Sequence, residues 1–291
     1  MPTVLETYGM NAVGAYNAKG LPDASAIWKI NSNTIIGIEV EVENQAHRRP
    51  THNVWSITDD NSLRNGGVEF ISRPIAASMA PAALQHLFHG DFDQDYCFSP
   101  RTSVHVHLNM QDAPTEKVLD LLFIYGLFEK ALYRFVGKGR WKNIYSTPIT
   151  ETNILTNLAS HGLRCPWEKY TGFNILPLAE KGTVEFRHMH GTIDVKKLCV
   201  WIDLITRLKA YVMKTSTEEI RRTIINFNGG QINTLGVEVF GELFEYLQIS
   251  DPAEVVSRVA VLKMGMVKTG NLNNTVLKAR QLNSKFFKVK G

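Results

Sequence analysis

The chain has 291 residues, 44% hydrophobic and 21% charged, with a net charge of +4. That length can bury a sizeable core, and the composition excludes a disordered or fibrous chain. No run of 18 apolar residues occurs, and the opening MPTVLETYGMNAVGAYNAKG has neither a basic n-region nor an apolar h-region, so no membrane span and a cytoplasmic location are expected.

In chain order, residues 1–33 are weakly periodic and read as a lead-in. Strands are predicted over 34–43, 53–58 and 67–72, with Asp59-Asp60-Asn61-Ser62 and Asn65-Gly66-Gly67 as turn material. A helix over 78–89 precedes the strand SVHVHLN. A long helix starts near Thr115, with Leu121, Leu122, Tyr125, Phe128, Leu132 and Phe135 as its apolar stripe. Residues 137–168 lose periodicity, and so long an irregular stretch inside a domain is usually functional. Strands near 171–176 and 183–189 follow, then a helix from Asp194 to about Lys214. Ser216-Thr217-Glu218-Glu219 reads as a capping box, Asp251-Pro252-Ala253-Glu254 as a second helix start, and 235–248 as a helix between them. Gly229-Gly230 lacks the Lys-Ser/Thr of a phosphate loop and reads as a helix-ending turn. Early strands and late helices predict an α+β fold: a mainly antiparallel sheet with helices on one face and the other face free for a site.

Five stretches alternate apolar residues with potential ligands: Ile38–Glu43, Val68-Glu69-Phe70, Val104–Asn109, Gly172–Ile175 and Val184-Glu185-Phe186-Arg187. Period-two alternation places successive side chains on opposite faces of a strand. An ordinary wet face mixes Thr, Ser, Lys and Gln, whereas this one is concentrated in carboxylate, imidazole and guanidinium. Glu39, Glu41 and Glu43 fall on one face roughly 7 Å apart. A hard divalent cation relieves such a row, and Mg²⁺ leaves room for waters and phosphates. The cysteines Cys97, Cys165 and Cys199 are far apart and form no C-x-x-C, which indicates neither a disulfide frame nor a zinc knuckle.

The sequence GTVEFRHMHGTID, flanked by KYTGFNILPL and KKLCVWIDLI, resembles the amidoligase family, a branch of the glutamine synthetase-like carboxylate–amine ligases. GIEVEVE, WSITDDNSLRNGGVEFISRP, SVHVHLN and GRWKNIYSTP agree in order, so the resemblance covers roughly residues 35–212. It implies a curved sheet of glutamine synthetase type, with ATP and Mg²⁺ (Mn²⁺ as the alternative) on the open face. Glu39, Glu41, Glu69, His105 and Glu185 look like the metal and phosphate shell. Arg187 is similar to the arginine that steadies transferred phosphate, and its planar fork suits that task. His107 is assigned to nucleotide, Asn174 to substrate, and Arg140 to a carboxylate or phosphate. The implied reaction phosphorylates a carboxylate and lets an amine displace phosphate, leaving an amide. His188 and His190, flanking Met189, are equally readable as structural residues facing away from Glu185.

The domain reading is a lead-in at 1–33, a catalytic core at 34–214, a helical part at 215–270 and a basic tail at 271–291. Residues 255–291 hold eight Lys and Arg and no acid, so the other residues carry +4 less +8, a net −4. Two other functions fit the same residues: a phosphotransferase on the same kind of sheet, or a nucleic-acid-associated protein using the basic tail. Expected partners are small-molecule or peptide acids and amines.

Overall fold

A computed structural model describes residues 2–44, 50–91, 98–137, 139–154 and 167–249. Seven antiparallel strands form one open sheet, ordered β2-β3-β1-β5-β7-β6, with β4 added against the start of β1. They are β1 Ile35–Val42, β2 Trp55–Asp59, β3 Val68–Ser72, β4 Ile75–Ala76, β5 Ser103–Asn109, β6 Phe173–Asn174 and β7 Thr183–His190. Helices number seven among the described residues: α1 Val4–Tyr8, α2 Ala80–His86, α3 Glu116–Val136, α4 Leu178–Lys181, α5 Val195–Lys214, α6 Thr217–Asn226 and α7 Ile232–Phe240. The expected α+β class and its antiparallel sheet are both present.

The alternation decides which face meets the helices. Ile36, Ile38, Val40 and Val42 of β1 are fully buried, as are Val104, Val106 and Leu108 of β5 and Val184 and Phe186 of β7. α3 and α5 pack over this side, and Trp201 of α5 sits edge-on to Phe186 with ring centroids 6.3 Å apart. Each large apolar side chain removed from water there contributes about 1.5–3 kcal/mol. Asp194 caps α5 by accepting a hydrogen bond from Lys197 N, and Ser216 caps α6 through Glu219 N.

Three predicted elements are altered for local reasons. The strand expected over 171–176 shrinks to two residues, because the Asn174 side chain accepts Leu176 N and turns the chain away. Gly172 belongs there: a Cβ would lie 2.3 Å from Tyr133 Oη and 2.8 Å from His188 Nε2. The helix expected over 235–248 starts at Ile232 and breaks at Gly241, whose φ of 57° is left-handed, before a 3₁₀ turn over Gly241–Leu247. The lead-in is tied down, with Val4 N donating to Ala113 O, Tyr16 N to Pro74 O and Trp28 Nε1 to Asp203. The predicted helix start at Asp251, the basic tail, Cys97 and Cys165 lie outside the described residues.

Candidate functional site

On the face opposite the helices, strand register lines the polar residues up. Glu41 is paired with Glu69 across β1 and β3, and Glu39 with His105 across β1 and β5. His107 is paired with Glu185 across β5 and β7, and Asn174 with Glu185 across β6 and β7. Directly opposed side chains in antiparallel strands have Cβ atoms about 4.5–5.5 Å apart. Residues 39, 69, 105 and 185 therefore converge only because four strands stand side by side in this order. They floor an open cleft of about 700 Å³, within the usual range for small-ligand sites.

His105 is the hub. Its Nδ1 lies 3.3 Å from Glu39 and 3.4 Å from Glu185, and its Nε2 lies 3.7 Å from Glu41. Ser103 donates to Glu41 at 2.7 Å and meets His105 Nε2 at 3.0 Å. His107 Nε2 stands 2.9 Å from Glu39 and 4.0 Å from Glu185, while Nδ1 meets Thr183 Oγ1 at 3.0 Å. His107 Nε2 is buried and, apart from this ion-pair contact with Glu39, has no hydrogen-bond partner. Two triads each bring one donor atom per residue within 4.8 Å of the others: Glu39–Glu69–His105 and Glu39–His107–Glu185.

Charge is unevenly compensated across this floor. Burial opposes ionisation of Glu39, but the imidazoles of His105 and His107 overcome it and hold its carboxyl well below the usual range. Glu185 is also lowered: burial acts against ionisation, while His105, Arg187 and His107 favour it. Glu69 goes the other way, pushed up to about 8 by burial and then by the neighbouring charges of Glu39, Glu41 and Asp60. It faces acids where Glu39 and Glu185 face cations and imidazoles.

Arg187 donates through Nη1 to Glu185 and through Nε to Tyr145 O at 3.4 Å, and its guanidinium lies 5.8 Å from the centre of the Tyr170 ring. Asn174 donates to the other oxygen of Glu185 at 2.7 Å and accepts Leu176 N. Both ends of its amide are thus engaged by protein, which makes it an orienter of Glu185 more than a free substrate ligand. His107 stands among the candidate metal donors, in one triad with Glu39 and Glu185.

Arg140 requires a correction. It was expected to meet a substrate carboxylate or phosphate, yet it is 4% exposed and does not line the cleft. The reason is an irregularity in β7. Between the pairs Val104–Met189 and Val106–Phe186, β5 advances two residues and β7 three, so Arg187 and His188 together face His105. Such a bulge takes backbone groups out of the ladder. Arg140 donates to both freed carbonyls, Nε to His188 O at 2.7 Å and Nη2 to Arg187 O at 2.8 Å. It fixes the backbone that carries Arg187.

The bulge also separates the two histidines. His188 is fully buried on the helix side, where Tyr125 Oη meets its Nε2 at 2.7 Å, and burial drives its pKa well below the ordinary histidine value. His190 is half-buried beside Gly137 at the end of α3. Glu43, third in the acidic row, does not line the cleft; it accepts Arg64 N at 3.2 Å. Cys199 is buried, its thiol pushed up to about 12 by burial, and so is chemically inert.

Several lining residues carried no sequence assignment. Ser103 keeps the two-residue step of His105 and His107 and was legible on that ground. Asp59 and Asp60 read as turn formers, while Lys181, Tyr145 and Tyr170 come from segments without periodicity. No family model matches this chain, and no match is found among curated proteins.

Proposed function

We propose that the chain is an ATP-dependent carboxylate–amine ligase that forms an amide through an acyl-phosphate, on a sheet of the glutamine synthetase type. The observation that carries this reading is the cleft floor. Glu39, Glu41, Glu69 and Glu185 share it with the imidazoles of His105 and His107 and the guanidinium of Arg187. Crowded carboxylates, one of them held near neutrality by its acidic neighbours, with an orphaned imidazole nitrogen beside them, form a donor set suited to divalent cations. Glu39, Glu41, Glu69, His105 and Glu185 would hold Mg²⁺ or Mn²⁺, with His107 as a further donor. A cation bound there supplies charge neutralisation to nucleotide phosphates.

The protein's own groups do the rest. Arg187, anchored by Glu185 and Tyr145 O, offers its remaining N–H groups to phosphoryl oxygens in a low-dielectric cleft. Asn174 keeps Glu185 turned toward the cleft, and Arg140 keeps the bulged backbone under Arg187 in place. Asp59, Asp60 and Glu180 line the cleft and give an incoming amine an acidic approach.

The reading is tested by supplying ATP, Mg²⁺ and a panel of acids and amines, then following phosphate release and product mass. An adduct lighter than acid plus amine by one water, formed only with ATP, is the expected result. A phosphorylated acceptor without amide would make the chain a phosphotransferase, and no nucleotide- or metal-dependent thermal shift would remove both readings. Arg187→Lys, which keeps the charge and loses the fork, is expected to lower kcat by about 10²-fold with little change in KM for ATP.

A further inference from the structure

A second cavity, of about 400 Å³, lies beside the cleft and shares Arg101 and Tyr145 with it. Its lining reverses the cleft's charge: among the described residues Arg64, Arg101 and Lys142 contribute three cations and no acid lines it. Among the described residues none of the three makes an ion pair. Arg64 and Lys142 are exposed and Arg101 is half-buried, so three like charges surround one small, open cavity.

The cavity is built by cross-ties between three chain turns. Arg101 Nη1 donates to Ser62 O at 3.2 Å and to Tyr145 Oη at 3.4 Å. Asn143 Nδ2 donates to Pro100 O at 2.7 Å, and Arg64 N donates to Glu43 at 3.2 Å. The two bonds from Arg101 use one of its nitrogens, so most of its five N–H donors stay available for a planar oxyanion. Ile144, 72% exposed on the same wall, offers apolar surface to a carbon chain.

We infer that this cavity holds a second, remote carboxylate of the acid substrate, whose reacting carboxylate lies in the cleft beyond the Arg101–Tyr145 wall. The inference rests on the ligase reading of the cleft and narrows its substrate to a dicarboxylic acid or an acidic peptide. A carboxylate is favoured over a metal-bound nucleotide phosphate because, among the described residues, no carboxylate lines this cavity to share a divalent cation.

The test is fluorescence anisotropy of a fluorescein-labelled tetraglutamate peptide on the full chain, with glutarate and inorganic phosphate as competitors and tetraglutamine as the neutral control. Tetraglutamate is expected to bind, to weaken as salt rises, and to be displaced by glutarate at lower concentration than by phosphate. The double variant Arg64→Gln, Lys142→Gln is expected to bind it at least tenfold more weakly while keeping the wild-type thermal shift with Mg²⁺ and ATP. Equal binding by wild type and double variant, equal affinity for tetraglutamine, or stronger displacement by phosphate would each overturn the inference. A chain that shifts with Mg²⁺ and ATP but ignores tetraglutamate keeps the ligase reading and loses this one. A chain that binds tetraglutamate but neither Mg²⁺ nor ATP keeps an anion site and loses the ligase reading.

Discussion

Glu129 and Glu69 are carboxylates held largely out of bulk water on opposite sides of one sheet, and burial raises the pKa of both while their neighbours act in opposite senses. Glu129 lies in α3, fully buried, and accepts from Tyr125 Oη, Ile149 N, Thr150 N and Thr150 Oγ1 at 2.6–3.1 Å. Burial raises it, and those four donors work against the rise. Glu69 is raised by burial and by its acidic neighbours together, so its surroundings add to the penalty. The first carboxylate is complete within the protein, and it pins the irregular 149–151 turn to α3. The second is incomplete, and what would complete it is positive charge from outside.

The comparison breaks most easily at Glu129. Glu129→Ala removes four hydrogen bonds to a buried acceptor, the buried Ile149 N–H among them, each worth about 1–3 kcal/mol, so a total loss of about 3 kcal/mol or more is expected in urea unfolding. A loss under about 0.5 kcal/mol would mean the helix side tolerates its orphans and that the contrast is false. Glu69→Ala is expected to behave in the opposite sense. In EDTA above pH 8 it should melt at or above the wild-type temperature, because there it removes a like charge and no bond from a donor.

Divalent cation sharpens the same contrast. Mg²⁺ at a hundredfold excess over Kd stabilises the wild type by about 2.7 kcal/mol through linkage. Glu69→Ala is expected to lose most of that gain in a melting experiment, and Glu129→Ala to keep all of it. A Mg²⁺ shift that survives Glu69→Ala and Glu39→Ala together would place the cation elsewhere. Glu185 is a poorer probe than its position in the sequence suggests. Its removal also strands buried Arg187 and Asn174, so a structural cost accompanies any loss of metal.

The contrast was half legible in the chain. Period-two alternation put Glu39, Glu41, Glu69, His105 and Glu185 on one side of their strands, because strand parity is a local property. It placed Glu43 on that face too, yet Glu43 lies one residue past the end of β1 and closes the turn at Arg64. Arg140 was misassigned because its task depends on a register shift between β5 and β7, and a bulge leaves no mark in the spacing of either strand. The same shift explains why the i, i+2 spacing of His188 and His190 does not put them together. Glu129 drew no notice at all. In sequence it is one acid among the polar positions of an amphipathic helix, and three of its four donors come from Ile149 and Thr150, which only the fold brings to it. The basic cavity was hidden for the same reason: Arg64, Arg101 and Lys142 come from three separate turns.

The smallest effect is the pH dependence of metal-free stability, and its sign follows from Glu69. A carboxyl raised from 4.5 to about 8 keeps its proton in the folded state while the unfolded chain has lost it. Folding then binds a proton, and stability falls as pH rises through that window. Glu129 is raised also and acts in the same direction, whereas Glu39 and Glu185 are lowered and cost stability only as pH falls below about 4.5. His188 and His190 are lowered from 6.5, so they favour folding above that value and lose their contribution below it. From pH 6.5 to 8 the fall due to Glu69 is therefore least obscured, and it amounts to about 1.5 kcal/mol over the interval. Melting temperatures in EDTA across that range are expected to decline for the wild type and to flatten in Glu69→Gln, which carries no charge at any pH. Mg²⁺ should flatten the wild-type profile too, because it favours the ionised carboxylate and releases the proton. An equal decline in Glu69→Gln would show that Glu69 is already ionised at pH 6.5, and the acidic crowding at the cleft floor would then be relieved within the protein itself.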